Sequence, residues 1–79
     1  MRVNILAFGI AKEILGRNQL AFDFQGSTSQ DLKMSLEQQF PYLKQLPSYG
    51  IAVNNEYVTG TIEINSNDEI AIIPPVSGG

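Results

Sequence analysis

The stretch EIAIIPPVSGG, residues 69–79, decides how the chain is read. In it Ile70 and Ile72 alternate with Glu69, Ala71 and Ile73, the period of two of a strand with one buried face. Pro74 and Pro75 follow at once. Each lacks a backbone N–H and holds φ near about −65°, so the sheet ladder must end there and the chain must leave the sheet. Residues 74–79 then form a flexible tail that reaches roughly 20 Å when extended, at about 3.3 Å per residue. Gly78 and Gly79 have no Cβ, so the tip fits a narrow channel.

Upstream, residues 2–8 show the same alternation, with Val3, Ile5 and Ala7 on one face and Asn4, Leu6 and Phe8 on the other. Two strongly apolar strands at opposite ends of a short chain suit the centre of a sheet, paired in parallel. Ala11 to Leu15, stopped by Gly16, reads as one or two helical turns. Residues 19–25 form another strand with Leu20, Phe22 and Phe24 inward. Thr28-Ser29-Gln30-Asp31 fits a capping box, in which the Thr28 hydroxyl accepts from the residue 31 N–H and the Asp31 carboxylate reaches back. Leu32, Leu36 and Phe40 recur every four residues as the buried stripe of the helix that follows, and Pro41 ends it. After a loop with Pro47 and Gly50, Ile51-Ala52-Val53 is a short strand and Asn54-Asn55-Glu56 a turn. Residues 57–64 are extended but broken at Gly60, and 65–68 make a second turn. Tyr42, Tyr49 and Tyr57 read as loop or half-buried packing. The order predicts an α+β fold, a mixed sheet with one main helix packed across it. In outline this is a β-grasp, with a domain over 1–73 and the tail over 74–79.

Composition narrows what such a domain can do. Of 79 residues, 43% are hydrophobic and 16% charged, which supports one packed domain. The chain has no cysteine and no histidine. That removes disulfides, thiol nucleophiles, thiolate and imidazole metal sites, and the usual general base near neutral pH. A net charge of −3 without a basic cluster argues against nucleic acid. No stretch approaches the roughly 18 apolar residues of a membrane span. The opening MRVNILAFGIA has signal-like features, but Asn4 interrupts the run and cleavage would remove a core strand. The reading expects a cytoplasmic protein with no bound cofactor, no metal and no membrane partner.

The chemistry then falls to the end of the chain. A terminal carboxylate titrates near about 3.3–3.7 and is inert at neutral pH. It becomes reactive once another enzyme converts it to an acyl-adenylate that a sulfur or nitrogen nucleophile can attack. Paired terminal glycines can be no more than a frayed end. The Pro-Pro spacer directly after a core strand favours a projecting, functional tip instead.

With these residues in hand, the chain resembles the small (MoaD-type) subunit of molybdopterin synthase. The resemblance rests on Ile5-Leu6-Ala7-Phe8, Lys12-Glu13-Ile14-Leu15-Gly16, Ala52-Val53-Asn54 and, most specifically, residues 67–79 with the terminal Pro-Pro-Val-Ser-Gly-Gly. It implies a ubiquitin-like β-grasp and a sulfur carrier whose Gly79 is adenylated by an ATP-dependent activating enzyme and then thiocarboxylated. Gly78 would give it passage. The tail would enter the large catalytic subunit, in a heterotetramer of two small and two large subunits. There it would supply sulfur to cyclic pyranopterin monophosphate in molybdenum cofactor synthesis. Phe8, Lys12, Ile73, Pro74, Pro75, Val76 and Ser77 are the implied partner contacts. Ile72-Ile73 stands where aromatics are frequent in that family, so the contact there is shaped differently. Leu6, Phe8, Ala71 and Ile73 are expected to share one exposed apolar patch at the tail base. A thiamine-pathway sulfur carrier, a ubiquitin-like modifier joined to lysines through Gly79, and an interaction module with an inert tail are the alternatives.

Overall fold

The computed structural model describes residues 1–46 and 48–74. Five strands form one sheet: β1 (Arg2–Ala7), β2 (Gln19–Asp23), β3 (Gly50–Val53), β4 (Glu56–Tyr57) and β5 (Glu69–Ile73). Two α-helices, α1 (Gly9–Leu15) and α2 (Ser29–Gln39), and a 3₁₀ turn over Pro41–Gln45 complete the elements. The sheet order is β2-β1-β5-β3-β4. β1 and β5 run parallel at the centre, with Ile5 beside Ile70, Leu6 beside Ala71 and Ala7 beside Ile72. The other pairings are antiparallel. This is the arrangement the alternation of the first and last strands predicts.

The inner face of the sheet is where the fold is held. Val3, Ile5, Ile70, Ile72, Leu32 and Leu36 are fully buried. Strand periodicity aims the first four at α2, and the i, i+4 spacing aims the two leucines back. Phe40, the third residue of the predicted stripe, is only partly buried because it is the C-cap of α2. Pro41 ends the α-helix, but the chain winds on into the 3₁₀ turn, which drops Leu43 into the core with no exposure.

Local chemistry sets the helix ends. The capping box is formed: Thr28 Oγ1 accepts from the Asp31 N–H at 3.2 Å. Asp31 Oδ2 in turn accepts from the N–H groups of Thr28 (3.2 Å) and Ser27 (3.0 Å). These bonds to the ionised form hold the Asp31 carboxyl below its ordinary 3.8, the Ser27 N–H contributing most. At the end of α1, Gly16 takes φ 84°, the left-handed conformation that favours glycine, and its N–H reaches the Lys12 carbonyl.

Three elements differ from expectation. β1 stops at Ala7, because Gly9 at φ 56° swings the chain out of the sheet and starts α1 two residues before Ala11. The strand expected over 19–25 pairs only to Asp23, although Phe24 beyond it is still buried. The extended stretch 57–64 gives only the two-residue β4. Its later part crosses to the start of α2, where Ser29 and Ile62 exchange hydrogen bonds and Thr28 bridges Glu63. Among the described residues no helix is long and apolar enough to cross a membrane.

Leu36→Ala should destabilise the domain by about 2–5 kcal/mol, a large share of what a small domain has. Urea unfolding checks this, and a wild-type midpoint would show that α2 does not pack as described. The capping box predicts a pH effect as well. Because the folded Asp31 carboxyl titrates below 3.8, its stabilisation is complete above that value and fades as pH falls through the lower folded value. Unfolding of Asp31→Asn followed against pH should therefore converge on wild type in acid. A gap that stays constant with pH would contradict the assignment.

Candidate functional site

Strand register assembles the tail base. On the face of the sheet away from α2, a row runs Gln19, Leu6, Ala71, Ala52, Tyr57, one residue from each strand. Ile73 and Gly50 pair one step further toward the tail. The opposite end of this face is polar, with Asn4 beside Ala21 and Glu69, and Arg2 beside Asp23. Arg2 and Asp23 also form an exposed ion pair at 3.3 Å. Such a pair is worth under about 1 kcal/mol. Apolar character is thus concentrated where the chain leaves the sheet.

Pro74, the last described residue, is partly buried beside the β1–α1 turn. A Cβ built on Gly9 would lie 3.5 Å from Pro74 Cγ, an ordinary van der Waals contact. Phe8, the residue before that turn, is the extended N-cap of α1 and is 51% exposed; Ile10 after it is 44% exposed. Two large apolar side chains in water beside the tail base suit an interface better than a core. Lys12 is exposed in the middle of α1, not at its start.

The expected patch is therefore corrected in composition. Leu6, Ala71 and Ile73 do lie on the outer face, but each is half-buried by its neighbours in the sheet. Phe8 is exposed but belongs to the turn and not to the strand. Pro75, Val76, Ser77, Gly78 and Gly79, the remaining site residues read from the sequence, lie outside the described residues.

Of the tyrosines, Tyr49 alone has a clear packing role. Its hydroxyl donates to Glu37, and Lys33 Nζ sits 5.0 Å from its ring centroid, bracing the loop before β3 against α2. Burial and the Glu37 carboxylate push its phenol pKa up. Tyr42 is 65% exposed on the 3₁₀ turn. Tyr57 is 64% exposed yet occupies the outer row beside Ala52, a position that sequence reading assigned to packing. The signal for it lay in Asn54-Asn55: both take positive φ, 50° and 71°, as a two-residue hairpin turn requires, and this sets Tyr57 opposite Ala52. Asp68 is turn chemistry, accepting from the Asn65 N–H at 2.8 Å and from Asn54 Nδ2 at 3.1 Å. Among the described residues, no three His, Cys, Asp or Glu side chains gather to hold a metal.

The ThiS family model matches residues 5–79. The molybdopterin synthase sulfur carrier subunit of Dictyostelium discoideum is 44% identical over 80 aligned positions, covering 95% of this chain and 93% of that protein. The small archaeal modifier protein 1 of Methanosarcina acetivorans superposes with a TM-score of 0.81 at 26% identity, covering 99% and 96% of the two chains. The complex of subunits 1 and 2 of the molybdopterin-converting factor of Helicobacter pylori contains a chain that superposes with a TM-score of 0.71 at 22% identity, each covered in full. The last of these supports the fold, which is a ubiquitin-like β-grasp.

If Phe8 belongs to an interface, Phe8→Ala should leave unfolding within about 0.5 kcal/mol of wild type. A loss of several kcal/mol by urea denaturation would return Phe8 to the core.

Proposed function

The chain belongs to the ThiS family, among the molybdopterin synthase sulfur carrier subunits, and we propose that Gly79 is the residue on which it carries sulfur. The observation that supports this most is the extent of the family match, which runs through residue 79 and so includes Pro-Pro-Val-Ser-Gly-Gly. With neither Cys nor His in the chain, the terminal carboxylate is the group suited to covalent carriage.

The carboxylate oxygen of Gly79 attacks the α-phosphorus of ATP on an activating enzyme, releasing pyrophosphate and leaving an acyl-adenylate. A sulfide-level sulfur nucleophile from a donor then attacks the acyl carbon and displaces AMP, leaving a thiocarboxylate. That sulfur is a better nucleophile than the oxygen it replaces: in the large catalytic subunit it bonds to a carbon of cyclic pyranopterin monophosphate as a C–O bond there breaks, and water then cleaves the resulting thioester, leaving sulfur on the pterin and the Gly79 carboxylate free. Gly78 gives the reactive end passage through a narrow channel. Binding of the body turns a bimolecular encounter into an oriented one. The small subunit binds no cofactor of its own; ATP is used by the activating enzyme.

The docking surface is the tail base. Phe8 provides an aromatic anchor, Ile73 and Pro74 continue it, and Lys12 on α1 offers a charge to the partner's rim. Pro75, Val76 and Ser77 line the way in. Two such chains and two large subunits assemble in the cytoplasm. The likeness to the archaeal modifier protein favours one second reading, in which the same activated Gly79 is joined to lysines of target proteins.

Reconstitution with the large subunit tests the proposal. A chain lacking Gly79 should dock with near wild-type affinity and transfer no sulfur, and one extra residue after Gly79 should do the same by misplacing the reactive atom. Transfer that survives either change would refute it. Gly79-dependent conjugates on cellular proteins, without sulfur transfer, would favour the modifier reading.

A further inference from the structure

Two charged residues of α2 are turned onto one aromatic ring. Lys33 and Glu37 stand four residues apart and so share a face of the helix. Opposite charges at this spacing commonly pair, yet these two form no ion pair with each other. Lys33 Nζ lies 5.0 Å from the centroid of the Tyr49 ring, and Glu37 Oε2 accepts from the Tyr49 hydroxyl. Burial, and after it the Glu37 carboxylate, raise the phenol pKa, so the hydroxyl keeps its proton and remains the donor. The ring is thereby held at two points.

What the ring holds in turn is the end of the sheet. Tyr49 directly precedes Gly50, the first residue of β3, which pairs with Ile73, the last of β5. The Asn54 N–H bonds to the Glu69 carbonyl. Alternation from there makes Ala52–Ala71 and Gly50–Ile73 the pairs that exchange backbone hydrogen bonds. On the other side of β5, pairing with β1 stops at Ala7 and Ile72. Ile73 is therefore paired through Gly50 alone, and the next residue is Pro74, which has no N–H to add. Gly50 has no side chain with which to pack, and the ends of a ladder open most readily. Tyr49 is the neighbour able to keep this pair shut, and it borders the same depression of about 470 Å³ as Ile73 and Pro74.

We propose that the contacts of Tyr49 with Glu37 and Lys33 fasten the last pair of the sheet, Gly50–Ile73, and that Tyr49 is thereby a positioning residue for sulfur transfer. It fixes the point and the direction from which the tail leaves the domain. The proposal rests on the reading that Gly79 carries the sulfur. A reactive end six residues beyond Ile73 magnifies any play at its root. A misplacement of about 1 Å can cost about 100-fold in rate.

Two readouts on the full chain test it. In amide exchange followed by NMR, the Ile73 N–H should exchange about tenfold faster in Tyr49→Phe, relative to the Ile5 and Ile70 N–H at the sheet centre. An equal change at all three, or none at Ile73, would overturn the fastening. The second readout is single-turnover sulfur transfer from thiocarboxylated chain already bound to the large subunit. Tyr49→Phe should slow it about fivefold or more, with a Kd for the large subunit within about twofold of wild type. Glu37→Ala should do the same, and the double variant should lose no more than either alone. Glu37→Gln keeps an acceptor oxygen and should restore most of the rate. An unchanged rate, a loss confined to affinity, or additive losses in the double variant would overturn the positioning role. Should Tyr49→Phe fail to fold, Glu37→Ala decides by the same two readouts. Wild-type chain that transfers no sulfur would defeat the Gly79 reading itself, while exchange at Ile73 would still decide the fastening.

Discussion

The parallel pairing of β1 with β5 is the contact on which everything else depends. It joins the two ends of the chain, Ile5 beside Ile70 and Ala7 beside Ile72, and makes them the middle of the sheet. Both strands can be central because each presents a complete apolar inner row, which α2 covers with Leu32 and Leu36. Such a pairing closes a loop of most of the chain length, so its entropic cost is among the largest in the fold. The burial of the fully enclosed aliphatic side chains of β1, β5 and α2 offsets it. The same pairing puts the strand that launches the tail at the centre of the sheet, where neighbours on both sides hold its direction.

From this follows a separation of tasks between the two faces. The inner face is committed to stability. The outer face is left with small or half-covered residues in its middle, Leu6, Ala71 and Ala52, and with large exposed ones at its margins, Phe8 and Tyr57. A partner meeting this face finds a shallow, apolar surface centred on the point where Pro74 leaves the sheet. The charges lie elsewhere. Arg2 is paired to Asp23 at the far end of the sheet, and Asp31 and Asp68 are engaged in capping and turn chemistry. None of these carboxylates is placed to perform acid–base work, in keeping with the proposal that Gly79 carries the reactive group.

Much of this was legible in the sequence, where local chemistry and periodicity agree. The capping box, the Gly16 stop, the inward Ile70 and Ile72 and the parallel closure all follow from nearest neighbours or a period of two. What was not legible depends on tertiary placement. Leu43 enters the core only because the chain keeps winding past Pro41, and proline at the start of a 3₁₀ turn is as well tolerated as at a helix end. The exit of Phe8 from β1 turns on the backbone of Gly9, which permits φ 56° without demanding it. Tyr57 becomes interpretable only once the register of the β3–β4 hairpin is known, since its place opposite Ala52 spans the turn. The tail is the reverse case, read from Pro-Pro-Val-Ser-Gly-Gly and the family match and lying outside the described residues beyond Pro74.

The central claim is that the chain functions by carrying sulfur on its own terminal carboxylate. Intact-mass measurement after incubation with the activating enzyme, ATP and a sulfur donor tests it most directly, with fragmentation to locate the change. The account predicts a gain matching replacement of one oxygen by one sulfur, confined to Gly79 and dependent on ATP. An unchanged mass in a mixture that thiocarboxylates a known sulfur carrier, or sulfur found on any other residue, would contradict it.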